Sequence, residues 1–477
     1  MNNTAFINSI KTVLVIMGFC FTTYSMLAQS SNTEYFMQSS FTNSFTNPAK
    51  RPEKGYIGIP GFTNLFVDLK TNTLNLDHFL FPGVGEDGKT GWFLNENVSY
   101  DDFMKNIAQK NYLGSNIDYT IFGAGFYLKD LFLSLDISAR TNVGVNIPKG
   151  LFDFVKSSFT TGENEEKTYD LSNLSVNANA FTQLGLGGSY PVLNKSLVLG
   201  AKIKILFGIA HVNFNLDNMN ININNNVWSV STLASGEMLI PAIQTEYDET
   251  GKLSKFNSDG LFSLFNGSGL GLDLGATFAP GKIFSDAWLK PLTVSAAVTD
   301  IGFITWNKSK ITSLATHPTD VIVAGNYNIR VDESYNIFKD VGDALSEAVA
   351  FYPSATSKTT SGIGAKMNWG VEYAFLNNRL NTGFLNTLYF NPVKTISEFT
   401  IAGAFRPASA VEAGLSYSFV HGNFQTVGLA LHLGPCFYVS SDYAFPHVNS
   451  SFIPTTSQGL NFQVGVAVPI GKKHVAK

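Results

Sequence analysis

The sequence predicts an all-β protein: a transmembrane antiparallel β-barrel of roughly 14 strands with short loop helices. Three observations carry that prediction. Segments of about ten residues with period-two alternation recur along almost the whole chain. Beyond the N-terminus no apolar run reaches the roughly 20 residues that a helical span needs. Charged residues make up only 14% of the 477 residues, while aromatics reach 13% and glycines number 42. A typical soluble chain is nearer one quarter charged. The formal charge of −4 shows no basic excess, which excludes a nucleic-acid partner of the usual kind.

The chain begins as an exported protein does. Residues 1–29 hold a polar start with Lys11, the apolar stretch "TVLVIMGFCFTTYSML" and the exit Ala28-Gln29, the three regions of a cleaved signal peptide. Removing it leaves Cys436 as the sole cysteine, so no internal disulfide can staple the fold. Residues 30–54 are polar, rich in Ser, Thr and Asn, and lack any period. They form an N-terminal segment and a candidate hatch. Residues 55–477 form the barrel.

The stretch "KSLVLGAKIKILFGIAHVNFNLD" at 195–217 shows the grammar. Odd positions from Leu197 to Ile209 are apolar, whereas the even positions include Lys202 and Lys204. A lipid-facing side bearing Leu199, Ile203, Ile205 and Phe207 follows, with the lysines in a wet lumen. On that reading Ile203→Arg harms insertion and Lys202→Gln is tolerated. Beyond 209 the phase reverses: His211, Asn213 and Asn215 are polar and Val212, Phe214 and Leu216 apolar. A bulge does this in a soluble strand; in a membrane strand the lipid face simply ends. The Asn-Ile alternation "NMNININNN" then suits a hairpin outside the membrane.

The same pattern pairs "NIDYTIFGAGFYL" with "LFLSLDISARTNVGVNI" across Lys129-Asp130. Leu131 to Ala139 face outward at odd positions, with Asp136 and Arg140 on the polar face. Alternating segments continue to "LNFQVGVAVPI", with "DVIVAGNYNI" and a strand or two in 55–80 completing the tally. Short joins fall at 193–196, 377–378, 407–409 and 421–423. Residues 148–158 and 332–351 read as loop helices, the second with an apolar stripe from Ile337 to Val349. The chain ends "PIGKKHVAK", so the last strand stops near Ile470 ahead of a basic tail.

No enzyme signature appears: there is no G-x-S-x-G, H-E-x-x-H, C-x-x-C or P-loop. The seven histidines, among them His78, His211, His421 and His432, lack metal-ligand spacing and read as rim or loop residues. No cofactor or metal is expected. Three local features stand out. Asn47-Pro48-Ala49 precedes the first strand and reads plainly as a turn opener. "TDIGFITW" holds Asp300, Gly302 and Trp306, read plainly as a capping acid, a bend and an interfacial-girdle aromatic. "GVEYAFLNNRLNTGF" places Glu372 and Arg379 to pair near a tight turn, a pair worth little if exposed.

These stretches, with "GYIGIPGFTNLFVDL", carry a resemblance. The chain resembles the Bacteroidetes outer-membrane barrels grouped with the long-chain fatty-acid transporter superfamily, and within it an uncharacterised family of unknown function. The resemblance implies a barrel of 14 strands whose Asn47, Pro48 and Ala49 belong to a lumen-blocking hatch, and localisation in the outer membrane of a Gram-negative bacterium. It implies a non-enzymatic protein that binds or passes hydrophobic small molecules in contact with outer-membrane lipid. The alternative is a protein-interaction barrel serving secretion or surface attachment, such as a type IX secretion shuttle. An apolar lumen path with a lateral opening favours the first; a sealed lumen under large ordered loops favours the second.

Overall fold

A computed structural model of the chain describes residues 31–471 apart from 86–87, 96, 158–165, 225–226, 242, 258–262, 318–320, 325–350, 356–359, 391–394, 409, 421–423, 434–435 and 444–458. The expected signal peptide, the helix at 332–351 and the basic tail lie outside the described residues.

Alternation closes into a ring because each strand finds the next one antiparallel. The wall begins with β1, in two pieces, Gly55–Gly58 and Asn64–Thr71, followed by β2 (Lys110–Leu128), β3 (Leu131–Pro148), β4 (Leu174–Val192) and β5 (Leu197–Asn224). It continues through β6 (Gly267–Phe278), β7 (Leu292–Trp306), β8 (Lys366–Phe375), β9 (Leu380–Phe390) and β10 (Thr395–Ala408). The last four are β11 (Val411–Val420), β12 (Phe424–Leu433), β13 (Phe437–Ser441) and β14 (Gly459–Ile470). Each is hydrogen-bonded to its successor. β14 returns to β1, with Val464 opposite Leu65 and Val468 opposite Ile57. The result is a closed 14-stranded antiparallel barrel with no free edge.

The two faces of the wall show which environment surrounds it. Ile203 is 58% exposed, whereas Lys202 and Lys204 are each 2% exposed. In β11 the outward side chains are Ala413, Leu415, Tyr417 and Phe419; the inward ones include Glu412, Ser416 and Ser418. Apolar outside and polar inside suits lipid and inverts the pattern of a water-soluble core. We expect Ile203→Arg to cost about 2–4 kcal/mol near the midplane. Measuring unfolding in lipid vesicles against an Ile203→Leu control checks this, and equal stability of the two variants would contradict the lipid face.

The phase reversal after Ile209 has a local cause. Ala180 pairs with Ala210 but Phe181 with Gly208, so Ile209 is an extra residue in β5. This bulge turns His211 inward. β5 then runs on beyond the wall to Asn224 and hairpins into the strand Val227–Leu239. Val321–Ala324 pairs with that outer hairpin, so "DVIVAGNYNI" supplies no wall strand among the described residues. The strand expected in 55–80 forms as β1 and completes the fourteen.

The two barrel ends differ. Residues 129–130, 193–196 and 376–379 turn tightly at one end. At the other, the described residues of 72–109 and 149–173 build a cap with its own apolar packing. One cluster there is Phe93, Val98, Phe103, Met104 and Ile107, and another gathers Phe154, Tyr169, Leu171, Leu216 and Ile221. The predicted helix forms at Lys149–Ser157, and Lys156 donates from Nζ to the Phe93 carbonyl at 2.9 Å, joining the clusters.

Candidate functional site

The N-terminal segment lies inside the barrel. It is polar by composition, yet it carries Tyr35, Phe36, Met37, Phe41 and Phe45, all buried. The first three pack on Leu385, Ala402, Ala404 and Ala430 of the wall. Phe41 and Phe45 pack with Tyr56, Phe132 and Tyr438. Short helical turns at Glu34–Phe36 and Asn43–Thr46 satisfy part of the local backbone. Wall side chains satisfy much of the remainder. The Thr33 amide donates to Asp442 Oδ1 at 2.9 Å, and the Gln38 and Ser39 amides donate to the Glu412 carboxylate at 2.9 Å each. Asn381 Nδ2 donates to the Phe36 carbonyl at 2.8 Å. Lys50 closes an ion pair with Glu372 at 2.5 Å.

Asn47-Pro48-Ala49 forms a compact turn in which the Ala49 amide donates to Asn47 Oδ1 at 2.9 Å. Asn47 Nδ2 reaches the carbonyls of Ala276 and Ala296 on β6 and β7, at 3.4 and 3.3 Å. The wall is thinned to admit this segment. A Cβ on Gly200 would collide with the Pro48 backbone, one on Gly275 with Asn47, one on Gly383 with Phe36, and one on Gly428 with Thr33. Inward glycines on β5, β6, β9 and β12 are therefore a docking track, used for close approach. Composition showed that glycine was abundant; only inward phase combined with neighbouring strands reveals the track.

Glu34 is fully buried beneath this segment. Ser40 and Thr42 donate to Oε2 at 3.0 and 2.6 Å, and Ser440 donates to Oε1 at 2.8 Å. Burial raises its carboxyl pKa, but hydrogen bonding and charge from His432, with Thr42 and Ser440, outweigh burial and hold it below the ordinary value. The Lys50 ammonium pKa is lowered too, because burial depresses it more than Glu372 supports it.

Beside the segment, charged side chains cross the lumen as a belt. Arg140 grips Asp300 with both terminal nitrogens, at 2.6 and 3.0 Å, and its Nε lies 2.8 Å from Asp118. Lys204 bridges Asp273 at 2.8 Å and Asp300 at 2.6 Å. Lys202 pairs with Asp136 at 2.5 Å and lies over the Phe45 ring, 4.7 Å from its centroid. A bulge makes the belt possible: Asp300 takes φ +58° and the β6–β7 register shifts opposite Asp273. Thr299 and Asp300 are consequently both buried, and the Asp300 amide donates to Asp273 Oδ1 at 2.7 Å. A second cluster joins Lys70 to Glu398 at 3.1 Å and to Asp68 at 3.4 Å.

Toward the capped end the inner face changes character. Phe181, Leu206, Leu239, Ile304, Trp306 and Ile363 form one buried apolar cluster. Trp306 stacks on His211 with ring centroids 5.1 Å apart and donates from Nε1 to Ser361 Oγ at 2.8 Å. The adjacent polar cavity, lined by Asp68, Lys70, Asn116, Asn142, Asn179 and Tyr389, has about 30 Å³ of free volume, room for a few waters at most.

Several expectations need correction. Lys202 and Lys204 sit in a packed ionic belt, not a wet lumen, so Lys202→Gln would leave the buried Asp136 with Gln183 but without its paired cation, a cost and not a harmless change. Trp306 is 2% exposed inside the barrel, not part of an outer girdle. Asp300 is a bulge residue within β7 and caps no turn. Gly302 lies two residues past that bulge, where a Cβ would meet the β6 backbone. Glu372 points inward to Lys50 because it has the inward phase of β8, whereas Arg379 lies exposed in the β8–β9 turn. His211 and His432 are also inside the barrel, not at a rim. No group of three or more potential metal ligands occurs among the described residues.

A family model described as "Family of unknown function (DUF5723)" matches residues 48–442. The chain belongs to that family. DUF5723 thus spans Pro48 and Ala49, the belt and the apolar cluster in one match. No curated protein matches this sequence. Among solved structures, a TodX monoaromatic hydrocarbon channel mutant is similar at 10% identity and a TM-score of 0.36, covering 93% of this chain and 95% of that one. The CymD monoaromatic hydrocarbon channel is similar at 9% identity and TM-score 0.30, covering 94% and 96%. The siderophore receptor PirA from Pseudomonas aeruginosa is similar at 8% identity and TM-score 0.20, covering 87% and 80%. The 14-strand ring of this DUF5723 chain rests on its own strand register.

Proposed function

We propose that the protein is an outer-membrane channel for hydrophobic small molecules, closed by residues 31–52 acting as a hatch. The observation that carries the reading is the apolar cluster of Phe181, Leu206, Ile304 and Trp306 on the inner face. A water channel has polar inner walls. An apolar patch turned inward, edged by His211, Asn179 and Ser361, has the makeup of a site for a greasy solute with one polar end. The axial path beneath it is blocked by the belt and the N-terminal segment, so occupancy requires rearrangement of the segment. Export through a cleaved signal peptide and origin in a Bacteroidetes outer membrane complete the proposal. The blocked axial path and the ordered cap are the features that would suit the secretion-shuttle alternative, but that alternative has no support from the comparisons, and the inward apolar cluster favours the channel.

The test is saturable binding of an environment-sensitive apolar fluorophore, such as 1-aminoanthracene, by the full chain in detergent. Ile304→Gln is expected to weaken binding about tenfold, equivalent to ~1.4 kcal/mol, while folded heat-modifiable mobility is retained. Unchanged binding in a folded Ile304→Gln protein would remove the cluster from any solute path.

A further inference from the structure

The short-turn rim carries a second, unrelated feature. Residues 51–54, 129–130, 193–196, 279–291, 376–379 and 406–408 hold eight Lys or Arg against three Asp or Glu, in a chain whose formal charge is −4. Three of these cations converge. Arg51 donates from Nη1 to the Asp130 carbonyl at 2.9 Å, and Lys195 pairs with the Asp130 carboxylate at 3.2 Å. The turn bearing Lys195 is tied to the one bearing Lys282, because the Ala279 amide donates to the Ser196 carbonyl at 2.7 Å. Asp130 thus answers Arg51 through its carbonyl and Lys195 through its carboxylate, with Lys282 on the adjoining turn. Arg51 and Lys195 add to burial in lowering the Lys282 ammonium pKa, as like charges held close do.

Two apolar features flank this cluster on the lipid side. Immediately above it, Leu131, Tyr190, Leu199, Ala201 and Leu274 line an outward groove of about 450 Å³. Beside it, the 279–291 turn exposes Ile283, Phe284 and Trp288 by 51, 52 and 63%, between Lys282 and Lys290. Aromatic side chains next to cations are the usual anchors at the headgroup level. Short turns mark the periplasmic end of outer-membrane barrels, which faces the phospholipid leaflet.

We propose that Arg51, Lys195 and Lys282 form a binding site for the phosphate headgroup of an anionic glycerophospholipid, with an acyl chain lying in the Leu131–Tyr190–Leu199–Leu274 groove. Charge complementarity selects the occupant. A zwitterionic lipid gains nothing from surplus positive charge, whereas an anionic one neutralises it. The groove gives the chain a place continuous with the headgroup, which free phosphate could not use.

The test is lipid retention by the purified full chain in neutral detergent, read by native mass spectrometry with phosphatidylglycerol and phosphatidylcholine as competing probes. Phosphatidylglycerol is expected to be retained at least tenfold more. The Lys195→Gln/Lys282→Gln protein should lose that preference by about fivefold for each cation removed, with folded mobility intact. Arg379→Gln, on the same rim but at a different hairpin, serves as the control. Equal retention of both lipids, an undiminished preference in the folded double variant, an equal loss in Arg379→Gln, or displacement of the lipid by millimolar inorganic phosphate would each overturn the site.

Discussion

Asp300→Ala is expected to destabilise the barrel by about 3–5 kcal/mol, the usual cost of stranding a buried charge. Asp300 is shared by Arg140 at 2.6 Å and Lys204 at 2.6 Å. Its removal leaves each cation with one carboxylate partner, Asp118 for Arg140, which also donates to Gln183 at 3.2 Å, and Asp273 for Lys204. The backbone adds to the loss, because Asp300 at φ +58° tolerates a conformation that alanine disfavours. Urea unfolding in lipid vesicles, followed by heat-modifiable mobility, measures the effect. Asp300→Asn keeps the shape and the tolerance of positive φ but removes the charge, so it isolates the electrostatic part. If Asp300→Ala unfolded at the same urea concentration as the parent, the belt would be decoration and not a structural tie.

Deleting residues 31–50 while keeping the signal is expected to turn a closed barrel into a leaky one. The deletion removes Tyr35, Phe36, Met37, Phe41 and Phe45 from the lumen together with the Lys50–Glu372 pair. A 14-strand wall encloses more than its own side chains fill, since about eight strands already suffice for that. Liposome swelling with small sugars should rise from background, with insertion preserved because all 14 wall strands remain. Gly383→Leu is the milder companion: its side chain would occupy the space of Phe36 and should raise leakage without any deletion. Unchanged swelling in the deletion protein would rule out the segment as a hatch.

The wall was readable in the sequence because lipid outside and polar contacts inside impose a period of two, which survives any detail of packing. Thus Ile203 and Lys202 take opposite sides, and Asp136 and Arg140 face inward together. What could not be read was whatever depends on the partner across the lumen. Glu372 lies seven residues from Arg379 but pairs with Lys50, more than 300 residues away in sequence. Trp306 looked like a girdle residue because the bulge at Asp300, which resets the phase of β7, leaves no pattern in one strand alone. The N-terminal segment looked irregular because Thr33, Phe36, Asn47 and Pro48 answer to wall glycines on four different strands, not to a helix or strand period.

Ring closure also orders events in time. The segment that emerges first makes its bonds with the parts that emerge last: the Ser31 amide reaches Gln463 across 432 residues, and Thr33 reaches Asp442 across 409. β1 itself is completed only when β14 arrives beside it. Contacts so distant along the chain form late and slowly. A barrel truncated before β13 would therefore lack not only an edge partner but also the anchor for its own beginning. Occupancy of the lumen by residues 31–33 is in this sense a report that synthesis and closure have both finished.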